Sequence, residues 1–93
     1  MYKIVYDKRV NNDLKKFDQS IKIQIFKKIE KIAKNPEIWD NLTWNLAWLK
    51  KVYVDKKKIR IVYKVIDDKI EILIIAIWKR ENKKVYFDAF NRI

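Results

Sequence analysis

The chain has 93 residues, a formal charge of +11 and no glycine, cysteine or histidine. The missing cysteine excludes a disulfide framework, a thiolate nucleophile and a zinc–cysteine site. The missing histidine removes the commonest acid–base group of enzymes. Nearly half of the residues are apolar, which is typical of a folded chain, and the length predicts one domain over residues 1–93.

The charge indicates a polyanion or an acidic protein as partner. Lysine supplies 19 of the 23 basic residues, and Ile and Asn are abundant, which is also the bias of an AT-rich genome. The position of the basic residues must therefore decide their role. The longest apolar run, Ile72–Trp78, is too short to span a bilayer, and the alternating N-terminus lacks a signal-peptide core. We expect a cytoplasmic protein without contact to a membrane.

The first half predicts one strand and two helices. Residues 2–7 alternate as a half-buried strand does, and Val10, Leu14 and Phe17 have the spacing of a short amphipathic helix. Asp18 or Ser20 is suited to cap a second helix that ends at Asn35-Pro36. The apolar stripe of this helix consists of Ile21, Ile25, Ile29 and Ile32.

The second half predicts three strands, at Leu49–Val54, Ile59–Ile66 and Ile70–Ile77. Short turns at residues 55–58 and at Asp67-Asp68 join them, and residues 84–93 return to helical spacing. A metal site at the two aspartates is a weaker interpretation than a turn. The order β-α-α-β-β-β-α predicts an α+β fold: an antiparallel sheet with the N-terminal helix pair packed on one face, and a short C-terminal helix.

Basic and aromatic residues surround the predicted strands of the second half. If residues 56 and 57 are the central residues of their turn, Tyr53 lies directly opposite Arg60. Such a face presents phosphate-binding cations beside a phenol, although a lysine-rich chain also produces basic sheet faces that only contact water. Ser20 is the only serine and Thr43 the only threonine, and without histidine to activate either we do not expect a serine hydrolase. The basic and aromatic residues around these strands are Lys50, Lys51, Tyr53, Lys58, Arg60, Lys79, Arg80 and Tyr86.

The run from Ile59 to Asp68, the motif Lys79-Arg80-Glu81 and the closing Val85-Tyr86 resemble the RelE branch of the RelE/ParE toxin superfamily. The resemblance covers nearly the whole chain. It implies the toxin of a type II toxin–antitoxin module, an endoribonuclease that cleaves mRNA in the ribosomal A site. It also implies a cognate antitoxin as partner and no metal or cofactor.

The resemblance assigns roles to four catalytic residues. Arg60 would bind the scissile phosphate and Arg80 would stabilise the transition state or leaving group. Tyr86 would orient the nucleotide and the proton transfer, and Lys51 matches one of two strand lysines of the family. The substrate's own 2′-hydroxyl is the nucleophile, so the enzyme has to orient RNA and stabilise charge.

The second strand lysine of the family is replaced by Tyr53, which stacks on a base or donates a hydrogen bond but carries no cation. Lys50 and Lys58 are candidates to supply that cation, and Lys79 is a further substrate-binding candidate. Two other functions remain open. ParE-type toxins share the fold and inhibit DNA gyrase by protein contact, and a decayed relative would bind antitoxin without cleaving RNA.

Four tryptophans stand where this family commonly carries glycine or another small residue: Trp39, Trp44, Trp48 and Trp78. One hypothesis explains both the tryptophans and the missing glycines: the gene uses UGA as a glycine codon, read here as tryptophan. Tryptophans forced into glycine positions are expected to be exposed, or strained at turns, because indole tolerates positive φ poorly. UGG codons at the four positions would contradict the hypothesis.

Overall fold

The computed structural model describes residues 1–36 and 49–79. Strand β1 spans Lys3–Tyr6, helix α1 Val10–Leu14 and helix α2 Gln19–Lys34. Strands β2, β3 and β4 span Lys50–Val54, Ile59–Ile66 and Glu71–Lys79. The α+β class is confirmed, whereas the predicted C-terminal helix lies outside the described residues. No helix in the described ranges is long and apolar enough to cross a membrane.

The sheet has the order β1-β4-β3-β2 and is mixed, so the prediction of an antiparallel sheet is wrong. Strands β2, β3 and β4 pair antiparallel through their short turns, but β1 pairs with β4 in parallel. Two helices separate β1 from the remaining strands. A connection of that length lets β1 join the sheet in the parallel direction, which a short hairpin does not permit.

Helix α2 forms as its sequence predicts. The carboxylate of Asp18 accepts a hydrogen bond from the Ile21 amide at 3.0 Å and caps the helix. The helix ends at Lys34, directly before Asn35 and Pro36. Its apolar stripe packs on one face of the sheet, here called the helix face, where Ile25, Ile29 and Ile32 are fully buried.

A β-bulge divides strand β4. Val62 pairs with Ala76 and Tyr63 pairs with Ile74, so Ile75 is an extra residue without a partner in the register. Before the bulge, Ile72 and Ile74 lie on the helix face; after it, Ile77 does. The bulge therefore turns Trp78 to the opposite face, here called the second face. Its buried residues are Leu49, Val62, Ile75, Ala76 and Trp78.

Left-handed backbone occurs at residues other than glycine. Asp55, Lys56 and Lys57 have φ of 53°, 55° and 69° in the turn after β2, and Ile70 has φ of 52° before β4. Ile70 is thus a turn residue, 58% exposed, and not the first strand residue that the sequence predicts. None of these four residues is tryptophan.

Trp78 does not behave as a residue forced into a glycine position. It lies in the extended backbone of β4, is 6% exposed and belongs to the core cluster of the second face. The expected exposure or turn strain is therefore not met at this residue. Trp39, Trp44 and Trp48 lie outside the described residues.

Candidate active site

The β2–β3 hairpin brings the candidate site residues together in the predicted register. Tyr53 lies directly opposite Arg60. Arg60 donates a hydrogen bond from Nη2 to the Tyr53 hydroxyl oxygen at 3.1 Å, and its guanidinium carbon lies 5.4 Å from the centre of the phenol ring. Arg60 is only 6% exposed, so the strand and the tyrosine hold its charge in a defined place.

Lys51 adds a second cation on the same face. It precedes Tyr53 by two residues in β2, and its Nζ lies 5.7 Å from the centre of the Tyr53 ring. Burial raises the pKa of Tyr53, but the hydrogen bond from Arg60 and the charges of Arg60 and Lys51 outweigh it. The pKa of the phenol consequently lies below its usual value.

The pair continues across the sheet into a row of three residues. Arg60 is paired with Tyr53 on β2 and with Trp78 on β4, so Tyr53, Arg60 and Trp78 lie side by side on the second face. The indole of Trp78 donates to the Asp13 carboxylate of α1 at 3.1 Å. The backbone N–H of Ile77 donates to the other oxygen of the same carboxylate at 3.2 Å.

Sequence reasoning missed Asp13. The spacing of Val10, Leu14 and Phe17 predicted the helix without giving Asp13 a role, whereas Asp13 is 3% exposed in the structure. A carboxylate is rarely buried without donors, but a lone aspartate among charged neighbours gives no sign of its burial. The bulge at Ile75 reverses the alternation of β4 and so determines the face on which its partner Trp78 lies.

A basic groove runs between α2 and the edge strand β2, with a volume of about 560 Å³. Lys51 and Tyr53 of the edge strand line one part of it. Asp55 contributes one carboxylate. The remaining cations come from the helix and from the turn after β2: Lys27, Lys28, Lys31, Lys56 and Lys57.

The other predicted site residues lie elsewhere or outside the described ranges. Lys50 alternates with Lys51 and therefore lies on the helix side of β2, as Val52 does. Lys58 and Lys79 line a separate cavity of about 430 Å³ beside the start of α2. Arg80 and Tyr86 lie outside the described residues. Asp67 and Asp68 belong to a short 3₁₀ turn, and residues 1–36 and 49–79 contain no acidic cluster that could hold a metal ion.

Comparison with known proteins identifies the family. Residues 4–83 match the model of the ParE toxin of the type II toxin–antitoxin system parDE. The mRNA interferase toxin RelE of Escherichia coli K12 is 29% identical over 92 residues, which are 99% of this chain and 97% of that protein.

Solved structures agree with this likeness. A free arginine-to-alanine double mutant of E. coli RelE superposes with a TM-score of 0.84 at 28% identity, covering 99% of this chain and 97% of that one. RelE in the intact E. coli RelBE toxin–antitoxin complex gives 0.76 at 26% identity, with 88% and 100% covered. The chain therefore belongs to the RelE/ParE superfamily of type II toxin–antitoxin toxins.

Proposed function

We propose that this toxin is a ribosome-dependent mRNA endoribonuclease that acts in the ribosomal A site. The observation that carries the proposal is the Arg60 guanidinium, buried and hydrogen-bonded to Tyr53, with the Lys51 ammonium 5.7 Å from the centre of the same phenol ring. Two fixed cations beside a hydroxyl are the arrangement that binding and polarising a phosphate require. The full-length likeness to E. coli RelE, an mRNA interferase, supports the same reaction.

The proposed reaction needs no nucleophile from the protein. The 2′-oxygen of the message attacks the adjacent phosphorus while the bond to the 5′-oxygen breaks, which yields a 2′,3′-cyclic phosphate and a 5′-hydroxyl end. One proton leaves the 2′-hydroxyl and one reaches the departing 5′-oxygen. Arg60 would bind the phosphate oxygens, Arg80 would stabilise the developing charge, and Tyr86 would orient the nucleotide and the proton transfer.

Tyr53 takes the place of a cation that the family pattern expects. Its hydroxyl contacts Arg60, and its ring lies within cation–π distance of both Lys51 and Arg60. We propose that Tyr53 fixes these two charges relative to one another and offers a stacking surface to a base. Lys50, Lys58 and Lys79 are candidates for RNA binding away from this cluster. Lys50 lies on the other face of β2, and Lys58 and Lys79 line a separate cavity.

An antitoxin partner is the second part of the proposal. E. coli RelE is known in an intact complex with its antitoxin RelB, and the present chain has the same fold and a charge of +11. We propose a cognate antitoxin with acidic or amphipathic segments that cover the basic surface. Coexpression with the cognate antitoxin is expected to yield a complex, and recovery of free monomer alone would contradict this part.

Gyrase inhibition is the competing function, because the matched family model is that of ParE toxins. A supercoiling assay with purified gyrase separates the two. Inhibited supercoiling without mRNA cleavage would establish the ParE-type function. If the protein shows neither activity, it is a relative that binds antitoxin without cleaving RNA.

Arg80→Ala tests the catalytic assignment directly. We expect cleavage of a translated message to fall by on the order of a hundredfold or more, as when a preorganised charge stabiliser is removed. Single-turnover primer extension on programmed ribosomes measures the rate. Arg9→Ala is the matched control, because Arg9 forms a surface ion pair with Asp7 and is expected to leave cleavage unchanged. Wild-type cleavage by Arg80→Ala would remove Arg80 from the mechanism.

A further inference from the structure

Asp13 satisfies the backbone of β4 at a place where none of the strands within residues 1–36 and 49–79 pairs with that edge. Strand β1 pairs with β4 only as far as Ile74. Beyond that point α1 lies against β4, and the Asp13 carboxylate accepts the N–H of Ile77 at 3.2 Å. The carboxylate thus replaces the strand partner of this amide, which would otherwise be buried without an acceptor.

The same carboxylate fixes the side chain of the next residue. Its second oxygen accepts the indole N–H of Trp78 at 3.1 Å, and both side chains are nearly fully buried. A buried carboxylate is stable only with donors, and a buried indole N–H requires an acceptor. Asp13 and Trp78 therefore depend on each other, and together they determine the rotamer of the indole.

Trp78 is the register partner of Arg60 on β4, and both residues are 6% exposed. In the register, Arg60 lies between Tyr53 on one neighbouring strand and Trp78 on the other. Side chains directly opposite one another on an antiparallel pair have Cβ atoms about 4.5–5.5 Å apart. The guanidinium donates toward Tyr53, on the side away from Trp78. A fixed indole thus limits the positions that the long Arg60 side chain can take.

We propose that Asp13 is a positioning residue of the active site: its carboxylate locks the indole of Trp78, and the indole holds Arg60 in line with Tyr53. The catalytic consequence rests on the proposed nuclease function. The same lock fixes the last residues of β4, from which the chain continues into Arg80. Asp13 itself contacts neither Arg60 nor RNA in this proposal and acts only through Trp78.

Trp78→Phe is the sharpest test. It keeps an aromatic ring in the cluster but replaces the indole by a smaller phenyl ring that has no N–H donor. We expect kcat for cleavage of a translated message to fall roughly ten- to hundredfold, the effect of a small misplacement of a catalytic group, with KM within about twofold of wild type. The Tyr53 phenol should also titrate at higher pH, because Arg60 is held less firmly against it. Ultraviolet difference titration against Tyr53→Phe measures this.

Ile29→Val is the matched control for loss of stability. Ile29 is buried on the helix face, away from the row of Tyr53, Arg60 and Trp78. The variant should unfold at lower denaturant concentration yet keep the wild-type kcat and the wild-type phenol titration. If Trp78→Phe shows the same pattern as Ile29→Val, the lock is only structural and the proposal is overturned.

Asp13→Asn gives a second, independent test. The asparagine oxygen can accept a hydrogen bond from one of the two N–H groups. Its NH₂ group is itself a donor and cannot accept from the other. We expect the same fall in kcat and the same rise in the Tyr53 titration as for Trp78→Phe, and wild-type values for both would overturn the proposal. A wild-type protein that cleaves no message would refute the proposed function instead, and the phenol titration then decides by itself whether Asp13 positions Arg60.

Discussion

Tyr53 reports the state of its two basic neighbours through its own ionisation. Its pKa lies below the usual value because the hydrogen bond from Arg60 and the two nearby charges favour the phenolate more than burial opposes it. A group with a lowered folded-state pKa stabilises the protein above its unfolded pKa, here about 10. That stabilisation is lost as the pH falls through the folded-state pKa, so it is absent at neutral pH.

Removal of the Arg60 charge should therefore change the pKa of the Tyr53 phenol. We expect Arg60→Gln to raise the pKa of Tyr53, because the variant loses both the cation and most of the hydrogen-bonding fork. Phenolate absorbance as a function of pH, taken as a difference from Tyr53→Phe, is the measurement. Arg60→Lys keeps the charge and should shift the titration less. An unchanged titration in Arg60→Gln would mean that Arg60 and Tyr53 are not coupled in solution.

Sequence alone placed Tyr53 opposite Arg60, since a four-residue turn with two central lysines fixes the register of a hairpin. It did not find the link between Asp13 and Trp78. Trp78 follows a bulge, and one inserted residue reverses which face every later side chain occupies. The link also identifies Trp78 as a fitted residue, because glycine at this position would leave the Asp13 carboxylate with one donor fewer. The exposure or turn strain that the codon hypothesis predicts is absent at Trp78.

The helix α2 and the turn after β2 together make the basic groove. Lys27 and Lys31 lie one turn apart on α2, and like charges at this spacing destabilise a helix by about 0.2–0.5 kcal/mol. The turn holds Lys56 and Lys57 in the left-handed region, which is unfavourable for residues with a side chain. Both features have a cost in stability, and both concentrate positive charge beside Tyr53.

Reversing charge in the groove should weaken RNA binding more than reversing it elsewhere. We expect Lys56→Glu with Lys57→Glu to lower the affinity for translating ribosomes by on the order of tenfold and to flatten its salt dependence, because each lost phosphate contact removes about 0.7 from the slope. Binding at several salt concentrations measures both.

Lys8→Glu with Lys69→Glu is the control for this element. It changes the net charge by the same amount at two exposed lysines that do not line the groove. Equal losses of affinity in the two double variants would show that only the overall charge attracts RNA, and that the groove has no special part in binding.

The elements themselves were largely predictable because their signals are local. A capping aspartate, an isoleucine stripe and an Asn-Pro stop determine α2, and the structure ends it within the predicted boundaries. The direction of β1 was not predictable in this way. It depends on which sheet edge remains open after β2, β3 and β4 have paired, and that is a property of the assembled sheet rather than of residues 2–7.

The fold and the net charge of the molecule do not by themselves determine its reaction or its partner. The fold belongs to the RelE/ParE superfamily, which includes toxins of different action, so fold alone does not determine the reaction. The charge of +11 suits both an RNA target and an acidic antitoxin. The arrangement of Lys51, Tyr53 and Arg60 is the feature that favours RNA cleavage.

Primer extension on a defined message decides whether this toxin cleaves mRNA in a ribosome-dependent way. The purified toxin is added to that message once during translation and once as naked RNA. We predict new 3′ ends within codons of the translated message, none on the naked RNA, and loss of the cuts when the cognate antitoxin is present. An uncut translated message, together with inhibition of gyrase supercoiling by the same preparation, would refute ribosome-dependent cleavage and favour the ParE-type function.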